Sequence, residues 1–315
     1  MFEKLRETAR ELLSKGEVEC VLGFAEGTLP MFYTPYLARK PEEAEKLVYG
    51  PFAAPNIATY LRKLKGKKAA VIVRGCESRT INLLISEKQL NRDDVKIIGV
   101  PCVGALDRKR ILKDYGGEIR EARIEGEKVI VKGDKGEKAY VLEEYISPSC
   151  RSCLYPEAID PDIKIEGPSR DGEKADFSDI ERIEKMSPAE KWEFFEKELS
   201  KCIRCYACRN ACPLCVCQDF CAAEARDPHW IPLRDGVKEK WMWQMLHVLH
   251  LAGRCTGCGE CERACPMGIP LLRIRAKVNK ELKELFDYEA GVKEGVRPPL
   301  LTYQVSEPKI EEPKW

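Results

Sequence analysis

The stretch CIRCYACRNACP, Cys202 to Pro213, returns fifty-three residues later as CTGCGECERACP, Cys255 to Pro266. Both copies read C-x2-C-x2-C-x3-C-P. This is the bacterial-type iron–sulfur spacing, and a tandem pair of such runs holds two [4Fe–4S] cubanes. Three thiolates on one short curled loop cap three irons, and the remote fourth cysteine crosses to the other cluster. The proline after it ends the loop and brings no N–H. The spacing therefore predicts Cys202, Cys205, Cys208 and Cys265 around one cluster, with Cys255, Cys258, Cys261 and Cys212 around the other. Zinc is the competing ligand, but zinc sites take four ligands, usually in two pairs. Eight thiols in this order favour the cubanes.

Forty-two residues separate Cys212 from Cys255. They include WMWQMLHVLHLAG, Trp241 to Gly253, which is apolar nearly all round and predicts a buried helix. A second helix, LLRIRAKVNKELKELF, follows Pro270. Upstream, Ser187-Pro188-Ala189-Glu190 is a capping box with proline at the first helical position, so the chain is helical from there on. With both cysteine runs, the pattern resembles the α-helical ferredoxin fold of fumarate reductase and heterodisulfide reductase iron–sulfur subunits. That resemblance covers about 80 residues. His247 and His250 lie in the buried helix. The cysteines already suffice as ligands, so the histidines are read as hydrogen-bonding groups near the clusters.

The other half has a different rhythm. Val18–Phe24, Lys68–Gly75 and Val95–Val100 are short apolar runs that predict buried strands. Arg79–Leu90 and Leu106–Tyr115 have helical spacing. Strand–helix–strand at this interval implies a parallel βαβ unit, and EKVIVKGDKGEKAYVLEEYI alternates about a Gly/Asp turn as a β-hairpin. The expected fold class is thus an α/β N-terminal domain with a parallel βαβ unit and hairpin, followed by an all-α ferredoxin domain. The expected boundaries are 1–155 for the α/β domain, 156–187 for a polar linker arm, 188–290 for the ferredoxin domain and 291–315 for an extended docking tail.

Composition narrows the function. The chain has 315 residues, enough for two cores, and a formal charge of +1, which gives no ground for nucleic-acid binding. No apolar run reaches the roughly 20 residues of a membrane span. The start, MFEKLRETARELLSKGE, reads as an amphipathic charged helix rather than a signal peptide. Sixteen cysteines at metal-ligand spacings then point to a reducing cytoplasm rather than to secreted disulfides.

Eight cysteines lie outside the two runs. Cys76 and Cys102 each follow a predicted parallel strand, so they fall at the carboxyl edge of the sheet, where such sheets bind ligands and helix N-termini favour thiolates. Cys150 and Cys153 form a C-x2-C pair past the hairpin. Together the four make a third [4Fe–4S] ligand set. The alternative makes Cys76 and Cys102 small core fillers and the pair a redox or zinc half-site. Cys215, Cys217 and Cys221 form a last group, read as a further metal centre (a fourth cluster completed by Cys20 or a partner chain, or a zinc site) or as thiols beside a cluster. Cys20, inside a predicted strand, is read as a core residue.

Gly99-Val100-Pro101-Cys102, the Cys150–Cys153 pair and Asp162-Ile163-Lys164-Ile165-Glu166-Gly167 resemble the beta subunits of coenzyme F420-reducing hydrogenases and formate dehydrogenases. The match spans residues 15 to 170. It implies one cluster and a flavin (FAD) in this domain. Those subunits carry ferredoxin cysteines at the N-terminus, whereas here they stand at the C-terminal side. The sequence shows no nucleophile–base pair, phosphate loop or G-x-G-x-x-G run. The expected role is an iron–sulfur electron-transfer subunit of a multisubunit oxidoreductase of anaerobic metabolism. It would link a catalytic subunit (a formate dehydrogenase, hydrogenase or tungsten-type oxidoreductase) to a flavoprotein or heterodisulfide-reductase-like partner. The alternatives are a flavin enzyme acting on F420 or NAD(P)H, and an iron–sulfur scaffold without redox duty.

Overall fold

A computed structural model describes residues 1–225, 230–293, 295–303 and 305–306. By contact the chain forms two compact units. The first comprises Met1–Ile81, Leu90–Phe177 and Cys258–Glu260; the second comprises Asn82–Gln89, Ser178–Gly257 and Cys261–Trp315. No helix among the described residues is long and apolar enough to cross a membrane.

The first unit is α/β. Its strands are β1 (Cys20–Glu26), β2 (Tyr33–Ala38), β3 (Ala69–Val73), β4 (Val95–Gly99), β5 (Ile119–Glu125), β6 (Lys128–Gly133), β7 (Gly136–Val141) and β8 (Ile163–Lys164). A five-stranded sheet runs β2-β1-β3-β4-β8, and a three-stranded antiparallel sheet runs β5-β6-β7. In the larger sheet β1, β3, β4 and β8 are parallel and only the edge strand β2 is antiparallel. All five residues of β3 are buried, as befits a central parallel strand covered on both faces. At Gly23 of β1 a methyl group would stand 2.7 Å from Ile72 Cδ1 and 2.8 Å from Leu47 Cδ2, so the layer packs against bare backbone there. The expected βαβ unit and hairpin are both present. β2 and β5 were not legible in advance, since TPYLA carries a proline and IREARIE is largely charged.

Helix α1 (Phe2–Ser14) buries Leu5, Ala9 and Leu12. Helix α2 (Gly75–Ser86) begins four residues before the expected Arg79. The reason is Glu77, whose carboxylate accepts the N–H groups of Arg74 (3.0 Å) and Ile57 (3.1 Å) and caps the opening turn. Cys76 is therefore inside the first turn, not ahead of it. Helix α3 (Arg108–Tyr115) has Asp107 as N-cap and Gly116, at φ 66°, as its left-handed stop. A short helix α4 (Pro148–Arg151) carries Cys150. The polar arm after it supplies β8, because Asp162 accepts the Ile97 N–H (2.6 Å) and the Arg92 guanidinium (2.7 Å) and so pins the chain beside β4.

The second unit is helical: α5 (Ser178–Glu184), α6 (Pro188–Ser200), α7 (Ala207–Ala211), α8 (Val237–His250), α9 (Glu260–Ala264) and α10 (Leu271–Phe286). Ser187 and Glu190 close the capping box of α6. Helix α8 starts at Val237, earlier than its apolar run, and it is not buried all round. Trp243, His247 and Val248 face inward, while Met242 and Leu249 are exposed. Of the expected tail, residues 294, 304 and 307–315 lie outside the described residues.

Candidate iron–sulfur sites

The first cysteine run shows how its loop is built. Arg204 has φ 50° and Tyr206 φ 59°, both in the left-handed region. Their counterparts in the second run are Gly257 at φ 71° and Gly259 at φ 74°. The same backbone curl is thus made twice, once by glycines that adopt it freely and once by side-chain-bearing residues at about 1 kcal/mol each. The curl brings the Arg204 N–H to 3.4 Å from Cys202 Sγ. Tyr206 packs on Trp243, centroids 5.4 Å apart, and Trp243 on His247 at 5.2 Å.

One cavity of the second unit is lined by Cys202, Cys205, Cys208 and Cys265 together, with Trp243 and Ile269 among its walls. Cys202, Cys208 and Cys265 are buried and Cys205 is exposed. Burial pushes the Cys208 thiol up to about 12, so without a cation it holds its proton. Iron supplies the charge that makes such a thiol a thiolate.

Arg275 of α10 is 2% exposed. Burial opposes its charge, but Cys261, Cys255, Cys212 and Cys208 lie around it and favour it. One buried cation thus faces cysteines from both runs. Sequence reading missed it, although a signal was there: Arg275 falls at helical spacing from the buried Leu271 and Leu272, where an apolar residue is expected. Cys258 belongs by contact to the first unit, within electrostatic reach of Cys76.

The last predicted group, Cys215, Cys217 and Cys221, divides. Cys215 Sγ is 3.2 Å from His247 Nε2, and the Cys212 and Cys215 thiols are hydrogen-bonded to each other. Arg275 donates to His247 Nδ1 at 2.7 Å. Because a guanidinium has donors only, Nδ1 carries no proton, and the neutral ring must hold its proton on Nε2. Burial and the Arg275 charge depress the imidazole to about 2, which keeps it neutral. His247 therefore donates to Cys215 and offers no Nε2 lone pair to a metal. This bears on a zinc reading, since Cys212, Cys215 and His247 are the one set among the described residues whose ligand atoms all lie within 4.8 Å of one another. Arg209 donates a hydrogen bond to the Cys221 sulfur and another to the Cys217 carbonyl at 2.9 Å. His250 is exposed at the end of α8, and Cys20 is buried in β1.

In the first unit the four remaining cysteines come from separate elements. Cys76 opens α2, Cys102 lies in the loop after β4, Cys150 is on α4 and Cys153 follows it. Gly75 permits the approach: a Cβ there would sit 1.9 Å from the Tyr155 carbonyl oxygen, two residues past Cys153. Cys153 is in electrostatic reach of Cys150 and Cys102, and Cys76 of Cys153. Burial raises Cys76, Cys102 and Cys153, the last to about 11. Backbone N–H groups already point at these sulfurs. Gly104 donates to Cys102 and Ala105 to Cys150, each at 3.3 Å, and Tyr155 donates to Cys153.

Two buried donors beside this set lack acceptors among the described residues, the Tyr49 hydroxyl and Arg74 Nε. Tyr49 is 3% exposed, and the groups that act on it electrostatically are Cys102, Arg74, Glu77 and Cys76. A buried unsatisfied donor costs about 1–3 kcal/mol. An anionic cluster held by the four thiolates presents sulfur acceptors to such donors, so the residues present fit that group.

Residues 198–269 match the 4Fe-4S dicluster domain family. The chain is 27% identical to the F420-dependent formate dehydrogenase subunit beta of Methanocaldococcus jannaschii, over 93% of this chain and 92% of that one. It is 26% identical to the F420-dependent formate dehydrogenase 1 subunit beta of Methanococcus maripaludis, over 92% and 90%. A chain of the F420-reducing [NiFe] hydrogenase complex of Methanosarcina barkeri is 19% identical, with a TM-score of 0.37 over 48% of this chain and 58% of that one. The resemblance carried by the motifs is thus the one found over nearly the whole length. The chain is an iron–sulfur protein with a 4Fe-4S dicluster domain at residues 198–269, and over 93% of its length it is similar to a beta subunit of an F420-dependent formate dehydrogenase.

Proposed function

We propose that the chain is a cytoplasmic electron-transfer subunit with three [4Fe–4S] clusters. It would relay electrons between a catalytic subunit (a formate dehydrogenase, hydrogenase or tungsten-type oxidoreductase) and a flavoprotein or heterodisulfide-reductase-like partner. The relatives' names support an F420-linked formate dehydrogenase as its setting. The observation that carries the reading is the cavity lined by Cys202, Cys205, Cys208 and Cys265, cysteines that the motif spacing pairs in advance. The second set is Cys255, Cys258, Cys261 and Cys212, and the third Cys76, Cys102, Cys150 and Cys153. The working domains are 1–155 and 188–290, joined by the arm 156–187 and followed by a docking tail from 291.

The clusters supply one-electron chemistry when bound. The chain's own residues do the rest. Thiolates hold the irons, and N–H groups from Arg204, Gly104 and Ala105 stabilise charge on sulfur. Arg275 sets a buried positive charge among four cysteines, which favours the more negative, reduced state. Trp243, Ile269 and Leu271 wall the inner side of the first site with apolar surface. Flavin released from the same purified sample tests the reading. The account expects none in stoichiometric amount; one flavin per chain with turnover on F420 or NAD(P)H would make the chain a flavin enzyme instead.

A further inference from the structure

The first cluster site is lined by three buried cysteines and one exposed cysteine. Cys202, Cys208 and Cys265 are each 7% exposed, whereas Cys205 is an exposed residue. The exposed side is apolar. Ile203 and Met267, both in the cavity lining, are 57% and 42% exposed. Arg204 Nη1 donates to the Pro232 and Arg234 carbonyls at 2.9 and 3.1 Å, which brings the 232–234 loop to the same rim and adds Leu233 at 69% exposure. An apolar rim in such an exposed state marks an interaction surface.

Charge says what it fits. Of the carboxylates near the rim, Glu198 pairs with Lys201 (2.7 Å) and Asp235 with Lys240 (3.3 Å), while Glu239 turns back against Gly236 at the start of α8. Arg204 bonds carbonyl oxygens here and no carboxylate, and Arg234 is exposed without a carboxylate partner among the described residues. The face is therefore an apolar centre with cations at its edge, and its complement is an apolar centre edged by carboxylates.

We infer that the face formed by Ile203, Cys205, Leu233, Arg234 and Met267 is the docking surface for an acidic one-electron carrier protein. The inference rests on the relay reading and gives it a direction at one end. The step is simple: one electron leaves the reduced cluster and reduces the carrier by one electron. No bond or proton moves. Cys205 is the ligand nearest solvent, so the electron crosses on its side.

The full-length chain, purified without oxygen and reduced, is mixed in a stopped-flow cell with an acidic [2Fe–2S] ferredoxin and separately with a basic c-type cytochrome. Ferredoxin reduction should slow as salt is raised, because exposed charges are screened. It should fall about tenfold in Arg234→Glu and in Leu233→Glu, with cluster paramagnetic resonance signals and iron content unchanged. Arg234→Glu should not slow cytochrome reduction. If both variants reduce ferredoxin at the wild-type rate, or salt speeds the reaction, this face is not the dock while the relay reading stands. If reduced clusters pass electrons to neither carrier, the relay reading falls and the dock with it.

Discussion

The two regions gather cysteines by opposite means. In the dicluster region, residues 198–269, the cysteines of each run arrive almost together in sequence, and loop curl does the work: Arg204 and Tyr206 in one run, Gly257 and Gly259 in the other, all at positive φ. In the α/β unit Cys76 and Cys153 stand seventy-seven positions apart. A sheet edge, a helix start and the bare backbone of Gly75 bring them near each other. A loop-built site is part of its own folding problem. A site built on a sheet is added to a fold that stands by its own core, here one that includes a five-residue strand buried throughout. The difference predicts different answers to the loss of a ligand.

The largest effect is expected at the loops. Cys205→Ser and Cys258→Ser should each remove about four irons per chain and destabilise the helical unit, because metal binding there is coupled to folding. Iron analysis with circular dichroism checks both. A variant that keeps its iron contradicts the assigned ligands.

The matching change in the α/β unit is Cys102→Ala with Cys153→Ala. It should also cost about four irons, yet leave the cooperative unfolding of that unit and the resonance signals of the other two clusters in place. Collapse of the whole chain would erase the contrast between the two regions.

Next comes Arg275→Met. It removes a buried cation from among four cysteines and leaves His247 Nδ1 without its donor. Loss of one partner from a buried charge set is worth about 3–5 kcal/mol. Midpoint potentials of the two helical-unit clusters should move to more negative values, with the third unmoved, as read in a redox titration. The smallest effect is expected for Tyr49→Phe, about 1 kcal/mol, the net worth of one hydrogen bond. It should lower the potential of the third cluster alone. No shift would mean that the Tyr49 hydroxyl serves something else.

How much of this was legible in advance follows the same division. The eight motif cysteines could be paired by counting, because covalent spacing constrains a short loop directly. The βαβ unit and the hairpin were legible from apolar periodicity. The start of α2 was not, since it depends on Glu77 accepting N–H groups from residue 57 as well as residue 74. The strand β8 hides in a polar arm and owes its place to Asp162. Arg275, Tyr49 and Arg74 were missed for a common reason. A polar residue on a buried face is visible in sequence only as a flaw in periodicity, and its partners come from other elements. The pairing of His247 with Cys215, likewise, is a contact across thirty-two positions.

The central claim is that one chain holds two loop-built cubanes and a third on the α/β unit. Anaerobic quantitation of iron and acid-labile sulfide on the purified full-length chain tests it most directly. The account predicts about twelve of each per chain, four for each of three clusters. About eight would remove the third cluster and leave the dicluster domain alone; a value near four or below would contradict the assignment of both cysteine runs.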